Sequence, residues 1–134
     1  MNRKSKGFTL IELVTVIAIL GVLAAMTVPK FFDLQTKAKI EVENMVIGTI
    51  RAGLETYAAN QIVQAGTKTY PTATTAGNLL TQILNPVPAG WTFGGNSATE
   101  GTITHTRSDS FVTWLYTVSN PTYTIGTRFP TINP

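Results

Sequence analysis

The hydrophobic pattern of the chain is dominated by a long apolar run close to its N-terminus. Between Phe8 and Val28 a single side chain, Glu12, carries charge. At ~1.5 Å per residue a helix over this run is about 31 Å long, which matches the hydrocarbon thickness of a bilayer. The pattern therefore predicts a membrane-spanning helix over residues 8–29, preceded by a short basic and polar segment, residues 1–7.

The next segment, residues 30–62, has the pattern of an amphipathic helix. Apolar side chains recur at steps of three to five residues, and charged side chains fall largely on other faces. Pro29 lies between the two helical stretches and predicts a kink. We interpret Gly48 and Gly53 as sites of close packing against a sheet. The apolar set is Leu34, Ala38, Val42, Met45, Ile50, Leu54 and Tyr57, and the charged set is Asp33, Lys37, Lys39, Glu41, Glu43, Arg51 and Glu55.

The remaining residues, 63–134, are rich in Thr, Gly, Pro and Asn and predict a small α+β head. Thr75 is placed to cap a short helix over residues 76–84. Strand-like runs follow, separated by turn residues such as Gly94-Gly95-Asn96 and Asn120-Pro121. The chain is therefore predicted to be α+β, with a long N-terminal helix packed on a small antiparallel sheet of three or four strands. The predicted strands are Trp91–Phe93, Thr102–Thr106, Phe111–Val118 and Thr122–Thr127.

Charge changes this picture in one respect. The formal net charge is +3, but Arg3, Lys4 and Lys6 supply three of the ten basic residues. Without residues 1–7 the remaining basic residues equal the seven acidic ones. A neutral chain has no strong long-range attraction to nucleic acid, so we expect no nucleic-acid partner. The chain has no cysteine, which excludes disulfides and thiolate chemistry.

The position of Gly7 departs from that of a conventional secretory signal. Such a signal places its small-residue cleavage site after the apolar segment, whereas Gly7 precedes it. Cleavage between Gly7 and Phe8 would therefore retain the apolar helix on the mature chain. Because the basic residues precede that helix, the N-terminus is expected in the cytoplasm and the head across the membrane.

Glu12 is the second unusual feature of this segment. A charged carboxylate inside an apolar helix costs several kcal/mol when it is unpaired in lipid. The α-amino group of Phe8, which exists only after cleavage, is a positive group that Glu12 of a neighbouring subunit would be able to meet.

Residues 7–12, Gly-Phe-Thr-Leu-Ile-Glu, resemble the cleavage and methylation motif of type IV prepilins and type II secretion pseudopilins. The continuation over residues 13–29 is similar to that family as well. Pro29–Gln35, Pro-Lys-Phe-Phe-Asp-Leu-Gln, is similar to the segment that follows in pilins of the mannose-sensitive haemagglutinin type. The resemblance covers roughly residues 3–40 and implies a type IV pilin-like fold.

The resemblance also implies how the chain is processed, assembled and located. A prepilin peptidase would bind the leader charges Arg3, Lys4 and Lys6, cut after Gly7 and N-methylate Phe8. Glu12 would contact the Phe8 amine of an adjacent subunit, and the stretch from Gly21 to Pro29 would act as a helix hinge. The implied partners are identical or homologous pilin subunits, the peptidase, an inner-membrane assembly platform and membrane lipid. The implied location is the inner membrane as a single-pass protein, followed by a cell-surface or periplasmic filament.

Several alternatives stand beside this interpretation. The chain is expected to be a structural filament subunit, or a pseudopilin of a type II secretion or DNA-uptake system. An anchored periplasmic binding module is a third hypothesis. No nucleophile with its base and no phosphate-binding loop is present, so we expect neither an enzyme nor a cofactor. For Gly21 and Pro29 a hinge and simple tolerance in a membrane helix are equally good explanations.

Aromatic residues and the single histidine of the head are the remaining candidates for a site. Trp91, Trp114, Tyr116 and Tyr123 fit either a binding face or, by preference, the core and cross-strand pairs of the sheet. His105, with Glu100 and Asp109 near it in sequence, offers a weak metal site, and we expect no metal. His105 is expected instead to be a packed or surface residue.

Overall fold

The computed structural model describes residues 7–74, 78–108 and 110–130. The chain divides into two compact units, residues 1–42 and 43–134. The described elements are the helices α1 (Leu10–Ala65) and α2 (Leu79–Ile83) and the strands β1 (Trp91–Gly95), β2 (Glu100–Thr106), β3 (Phe111–Ser119), β4 (Thr122–Ile125) and β5 (Phe129–Pro130). The predicted α+β class is confirmed, with a long helix and an antiparallel sheet.

Helix α1 includes Pro29 and ends at Ala65. Gly66 ends the helix, because its φ of 69° is a left-handed conformation that glycine adopts without steric cost. Its amide donates to the carbonyl oxygen of Ile62 at 2.9 Å, which satisfies one of the last helical carbonyls.

In the second unit, α1 buries a stripe of side chains that differs in part from the predicted one. Ile50 and Leu54 are fully buried, as their spacing predicts. Met45 was predicted for the same stripe but is 73% exposed, because Ile47 takes the inward position on that turn. The buried stripe continues to Ala58 and packs against sheet residues in one hydrophobic core.

Glu43 corrects a second prediction about α1. It was assigned to a polar face, yet it is fully buried. His105 Nδ1 lies 2.9 Å from Glu43 Oε1, and the Nε atom of Arg107 donates to the same oxygen at 2.8 Å. The Nε atom of Arg128 donates to Oε2 at 2.9 Å. These three basic side chains come from the end of β2, the residue that follows it and the segment before β5, and they permit the burial of the carboxylate.

Helix α2 begins later than predicted. Its N-cap is Asn78, whose side-chain oxygen accepts from the amide of Leu80 at 3.2 Å. Asparagine is a preferred N-cap because its side chain satisfies one free amide of the first turn. The predicted cap, Thr75, lies outside the described residues.

The two interior glycines of α1 behave differently. A Cβ atom at Gly53 would lie 2.7 Å from the carbonyl oxygen of Ile83, so Gly53 does mark a close approach, but to the end of α2 rather than to the sheet that was predicted. A Cβ atom at Gly48 would meet nothing within 4 Å among the residues that the structure describes. The predicted close packing at Gly48 is therefore wrong, because the space above it is open.

The sheet is an antiparallel meander in the order β1-β2-β3-β4, as predicted. The short strand β5 was not predicted; it pairs with β3, where Thr113 faces Phe129. The predicted turn at Gly94-Gly95 is also wrong, because both residues lie in β1 and the turn follows them. There the Ser97 hydroxyl accepts from the amide of Glu100 at 3.0 Å.

Strand β3 shows why the sheet has two chemically distinct faces. Its residues alternate in burial along the whole strand. The inward set, Val112, Trp114, Tyr116 and Val118, belongs to the hydrophobic core. Leu115 and Phe129 lie on the outward face and are 48% and 67% exposed. Around them the cross-strand register places outward threonines at positions 102, 104, 113, 117 and 124.

Candidate processing and assembly segment

Gly7 and Phe8 lie immediately before α1. Gly7 is exposed, and a Cβ atom at this position would meet nothing within 4 Å among the described residues. The Phe8 side chain is 89% exposed. Because both residues precede the first helical residue, Leu10, their shared peptide bond is outside the helical hydrogen-bond ladder. The Gly7–Phe8 peptide bond is therefore exposed without any unwinding of the helix.

Thr9 and Glu12 form a reciprocal cap at the start of α1. The Thr9 amide donates to Glu12 Oε2 at 2.7 Å, and the Thr9 hydroxyl donates to the same oxygen at 2.8 Å. In the other direction the Glu12 amide donates to Thr9 Oγ1 at 3.3 Å. This arrangement is a capping box, in which two amides without a helical partner are satisfied at once.

The capping box gives Glu12 a role that the sequence reasoning missed. The signal was present, because threonine followed three residues later by glutamate before an apolar run is the sequence pattern of a capping box. The cap also explains how a carboxylate is accommodated at the start of an apolar helix.

The first unit exposes the apolar residues of α1 on all its faces. Leu10 is 80% exposed, Leu20 58% and Met26 67%. Helix α1 is the one described helix that is long and apolar enough to cross a membrane by length and composition. The hydroxyls of Thr15 and Thr27 donate to the carbonyls of Ile11 and Leu23, each at 2.7 Å, so these polar groups are satisfied within the helix. A helix of this kind is suited to lipid or to other apolar helices rather than to water.

The other residues predicted for this segment are placed as follows. Gly21 is helical, and a Cβ atom there would meet nothing within 4 Å among the described residues. Pro29 is also helical and does not end α1. The leader charges Arg3, Lys4 and Lys6 lie outside the described residues.

The aromatic residues of the head belong to its core, which is the explanation that the sequence favoured over a binding face. Trp91 stacks on Trp114 with ring centroids 5.2 Å apart, and both side chains are buried. The Tyr116 hydroxyl donates to the Pro71 carbonyl at 2.8 Å, and burial raises the pKa of this phenol above its ordinary value. Tyr123 is half-buried and packs against the same core. The preferred prediction, that these rings belong to the core and pack on one another, is therefore confirmed.

His105 is a packed residue. Its ring stacks on Trp91 with centroids 4.7 Å apart, and its side chain is 20% exposed. It contacts Glu43 rather than Glu100, and Asp109 lies outside the described residues. Within the described ranges, no group of three or more acidic, histidine or cysteine side chains is placed to hold a metal ion.

Comparison with known proteins agrees with the geometry of the N-terminal segment. Residues 2–28 match the family described as the prokaryotic N-terminal methylation motif. Type II secretion system core protein G of Pseudomonas aeruginosa is 37% identical over 67 residues, which are 50% of this chain and 47% of that protein. No solved structure matches the chain.

Pilins and fimbrial proteins show higher identity over shorter segments. The fimbrial protein EcpB of Eikenella corrodens is 44% identical over 57 residues, or 42% of this chain and 36% of that protein. The type IV major pilin protein PilE1 of Neisseria gonorrhoeae is 52% identical over 40 residues, or 30% of this chain and 24% of the pilin. The match spans less than half the length of each of these relatives. Residues 2–28 thus match the prokaryotic N-terminal methylation motif, and the chain is similar to type IV pilins and to the type II secretion system core protein G.

Proposed function

We propose that the chain is the precursor of a structural subunit of a type IV pilus-like filament. In this proposal a prepilin peptidase cuts between Gly7 and Phe8 and methylates the new amine of Phe8. The observation that carries the proposal is the methylation motif over residues 2–28, with its cleavage position exposed and outside helix α1. The relatives named as pilins and fimbrial proteins support a structural role rather than an enzymatic one.

The apolar first unit supplies the physical reason for a filament. As a precursor the chain would stay in the inner membrane, with α1 in lipid and the head outside the cytoplasm. Assembly would replace lipid around Leu20 and its neighbours by the same side chains of other subunits, which keeps these exposed apolar residues out of water. Energy for extraction from lipid would come from an inner-membrane assembly platform. We place the helix hinge that assembly requires between Gly21 and Pro29.

Glu12 has two functions in this proposal. Before cleavage its carboxylate caps α1 through Thr9. After cleavage, the amine of Phe8 on an adjacent subunit would offer it a positive partner. A carboxylate has more acceptor positions than the two bonds from Thr9 occupy, so the cap and the intersubunit ion pair are compatible.

Mass spectrometry of the N-terminus tests the processing step. The full chain is co-expressed with a prepilin peptidase or with an inactive form of that peptidase. We expect the active peptidase to yield a chain that begins at Phe8 and carries one added methyl group. The variant Gly7→Arg should remain full-length, because an arginine side chain directly before the cut would prevent the peptidase from accepting this bond. A methylated mature chain from Gly7→Arg would contradict the proposal.

A pseudopilin of a secretion system is the second candidate function. The similarity to core protein G favours it, because that match extends over half of this chain, beyond the N-terminal motif. Electron microscopy of surface fibres and an assay of protein secretion, each with cells that have or lack the gene, separate the two candidates. Loss of surface fibres indicates a pilus subunit, whereas loss of protein secretion with unchanged fibres indicates a pseudopilin.

A further inference from the structure

The second unit contains a cleft that neither the processing nor the assembly of the chain explains. It is about 400 Å³ in volume and lies between α1 and the connection from β4 to β5. On the helix side it is lined by Asn44, Gly48 and Arg51. On the sheet side it is lined by Trp114, Thr127 and Arg128. This volume falls within the range of small-molecule sites, which is about 300–1,000 Å³.

The charge of the cleft is of one sign. Arg51 and Arg128 line it, and no carboxylate does so in the part of the chain that the structure describes. The Nε atom of Arg128 is bonded to Glu43, but that carboxylate also receives the guanidinium of Arg107. One negative charge is thus shared by two arginines, which leaves an excess of positive charge beside the cleft. Among the described residues, Arg51 has no ion-pair partner.

The donor groups match an anion. A guanidinium presents several N–H donors in a planar fork that fits carboxylate and phosphate oxygens. The Asn44 amide and the Thr127 hydroxyl add two neutral groups that are able to donate. The remaining wall includes the apolar side chains of Ile47 and Ile125 beside Trp114, so it suits the body of an organic molecule better than bulk water.

Gly48 provides an independent observation. Glycine lowers the stability of a helix relative to alanine, and a glycine inside a helix usually permits a close approach. Here a Cβ atom would meet nothing within 4 Å among the described residues, so no such approach explains Gly48. The absence of a side chain at this position instead keeps the cleft open on its helix side.

We propose that this cleft binds a small organic anion, with a carboxylate or phosphate group between Arg51 and Arg128 and an apolar body against Trp114 and Ile125. The site goes beyond the filament function and does not depend on it, because all of its residues belong to the second unit of a single chain.

Binding is tested with the full chain in an uncharged detergent, by isothermal titration calorimetry. The probes are phenyl phosphate, inorganic phosphate and phenol. We expect saturable binding of phenyl phosphate, weaker binding of inorganic phosphate, and no binding of phenol. Phenol that binds as tightly as phenyl phosphate would refute the selection for an anion, and equal affinity for the two phosphates would refute the apolar half of the site.

Two variants test the location, each with a matched control. Arg51→Gln removes one guanidinium and should weaken phenyl phosphate binding about tenfold, as expected for the loss of a charge-assisted hydrogen bond. Lys68→Gln removes the same charge from a position outside the cleft and should change the affinity less than about twofold, since exposed charges at a distance are largely screened. Arg128 is left unchanged, because it is bonded to buried Glu43.

Gly48→Leu places a side chain in the cleft and should abolish binding while it raises the midpoint of thermal unfolding. Its control, Ala52→Leu, adds leucine to an exposed position of α1 outside the cleft and should bind as the unmodified chain does. Unchanged binding in both Arg51→Gln and Gly48→Leu would overturn the proposal. Loss of filaments in Gly48→Leu, without any anion binding by the unmodified chain, would also overturn it and would assign the cleft to packing between subunits.

Discussion

The Nδ1 atom of His105 lies 2.9 Å from the Oε1 atom of Glu43, although 62 residues separate them in sequence. Glu43 begins the second compact unit and is at the same time its one buried acidic side chain within the described residues. Through this carboxylate a turn of α1 is joined to the end of β2 and to the segment before β5. The ion cluster thus connects the helix to the sheet one turn before Ile47, the first buried core residue of α1.

Replacement of Glu43 by alanine should strongly destabilise the second unit. The change leaves the partly buried Arg107 and Arg128 without their carboxylate, and the loss of one partner from a buried ion pair costs about 3–5 kcal/mol. Urea unfolding of the full chain in detergent, followed by tryptophan fluorescence, measures this loss. Glu41→Ala is the matched control, because Glu41 is exposed two residues earlier on the same helix. Equal loss of stability in both variants would contradict the role of the cluster.

The same carboxylate should make stability depend on acid. Burial raises the pKa of Glu43, but the hydrogen bonds from His105, Arg107 and Arg128 outweigh it and hold the pKa below its ordinary value. A lowered pKa in the folded state means that the ionised form contributes stability above the ordinary carboxylate pKa, ~4.3, and that this contribution is lost as the pH falls through the folded-state value. The difference in unfolding free energy between the unmodified chain and Glu43→Gln should therefore shrink below about pH 4. A difference that stays constant to pH 2 would show that Glu43 is not the group responsible.

Gly48 and Gly53 should respond in opposite directions to alanine. Gly53→Ala places a methyl group where it would lie 2.7 Å from the Ile83 carbonyl oxygen, and overpacking of this kind typically costs about 1–3 kcal/mol. Gly48→Ala meets open space and should stabilise α1 by about 1 kcal/mol through helix propensity. Thermal unfolding of the two variants, which differ only in position on one helix, measures both effects. Destabilisation by Gly48→Ala would mean that this position is covered in solution.

The two proposed functions of Glu12 can be separated by charge. Glu12→Gln keeps an oxygen that accepts from Thr9 but removes the charge, whereas Thr9→Ala removes the reciprocal side-chain bonds of the cap but keeps the charge. We expect Glu12→Gln to lower incorporation into filaments and Thr9→Ala to lower it much less. The fraction of each processed variant found in sheared filaments measures this effect. Normal incorporation of Glu12→Gln would leave the cap as the function of this residue.

The sequence predicts local structure well wherever one period dominates. The alternation of Phe111–Val118 places its buried and exposed residues correctly, and the apolar spacing finds Ile50 and Leu54. Local periodicity fails for Glu43, because the three groups that allow its burial come from distant segments and are invisible in a helical pattern. It also fails for β5, whose two residues pair with β3 and carry no pattern of their own.

Glycines show the same limit of local reasoning. Gly94 and Gly95 are turn-forming residues by composition, yet they lie in β1 opposite Thr102 and Gly101. The ring of Phe93 covers Gly101, and a Cβ atom at Gly101 would collide with the Cζ atom of Phe93. The absence of a side chain at Gly101 lets the ring of Phe93 pack against the neighbouring strand. Such a contact depends on the register between strands, which a single sequence does not specify.

Strand β3 contributes every second residue to the core and every other residue to the outward face. Substitutions at the outward positions, such as Thr113, Leu115 and Thr117, therefore leave the aromatic interior untouched. The core residues and the outward residues of β3 can therefore change independently of each other. The outer surface of the head is free to diversify by substitution while the core sequence stays constant.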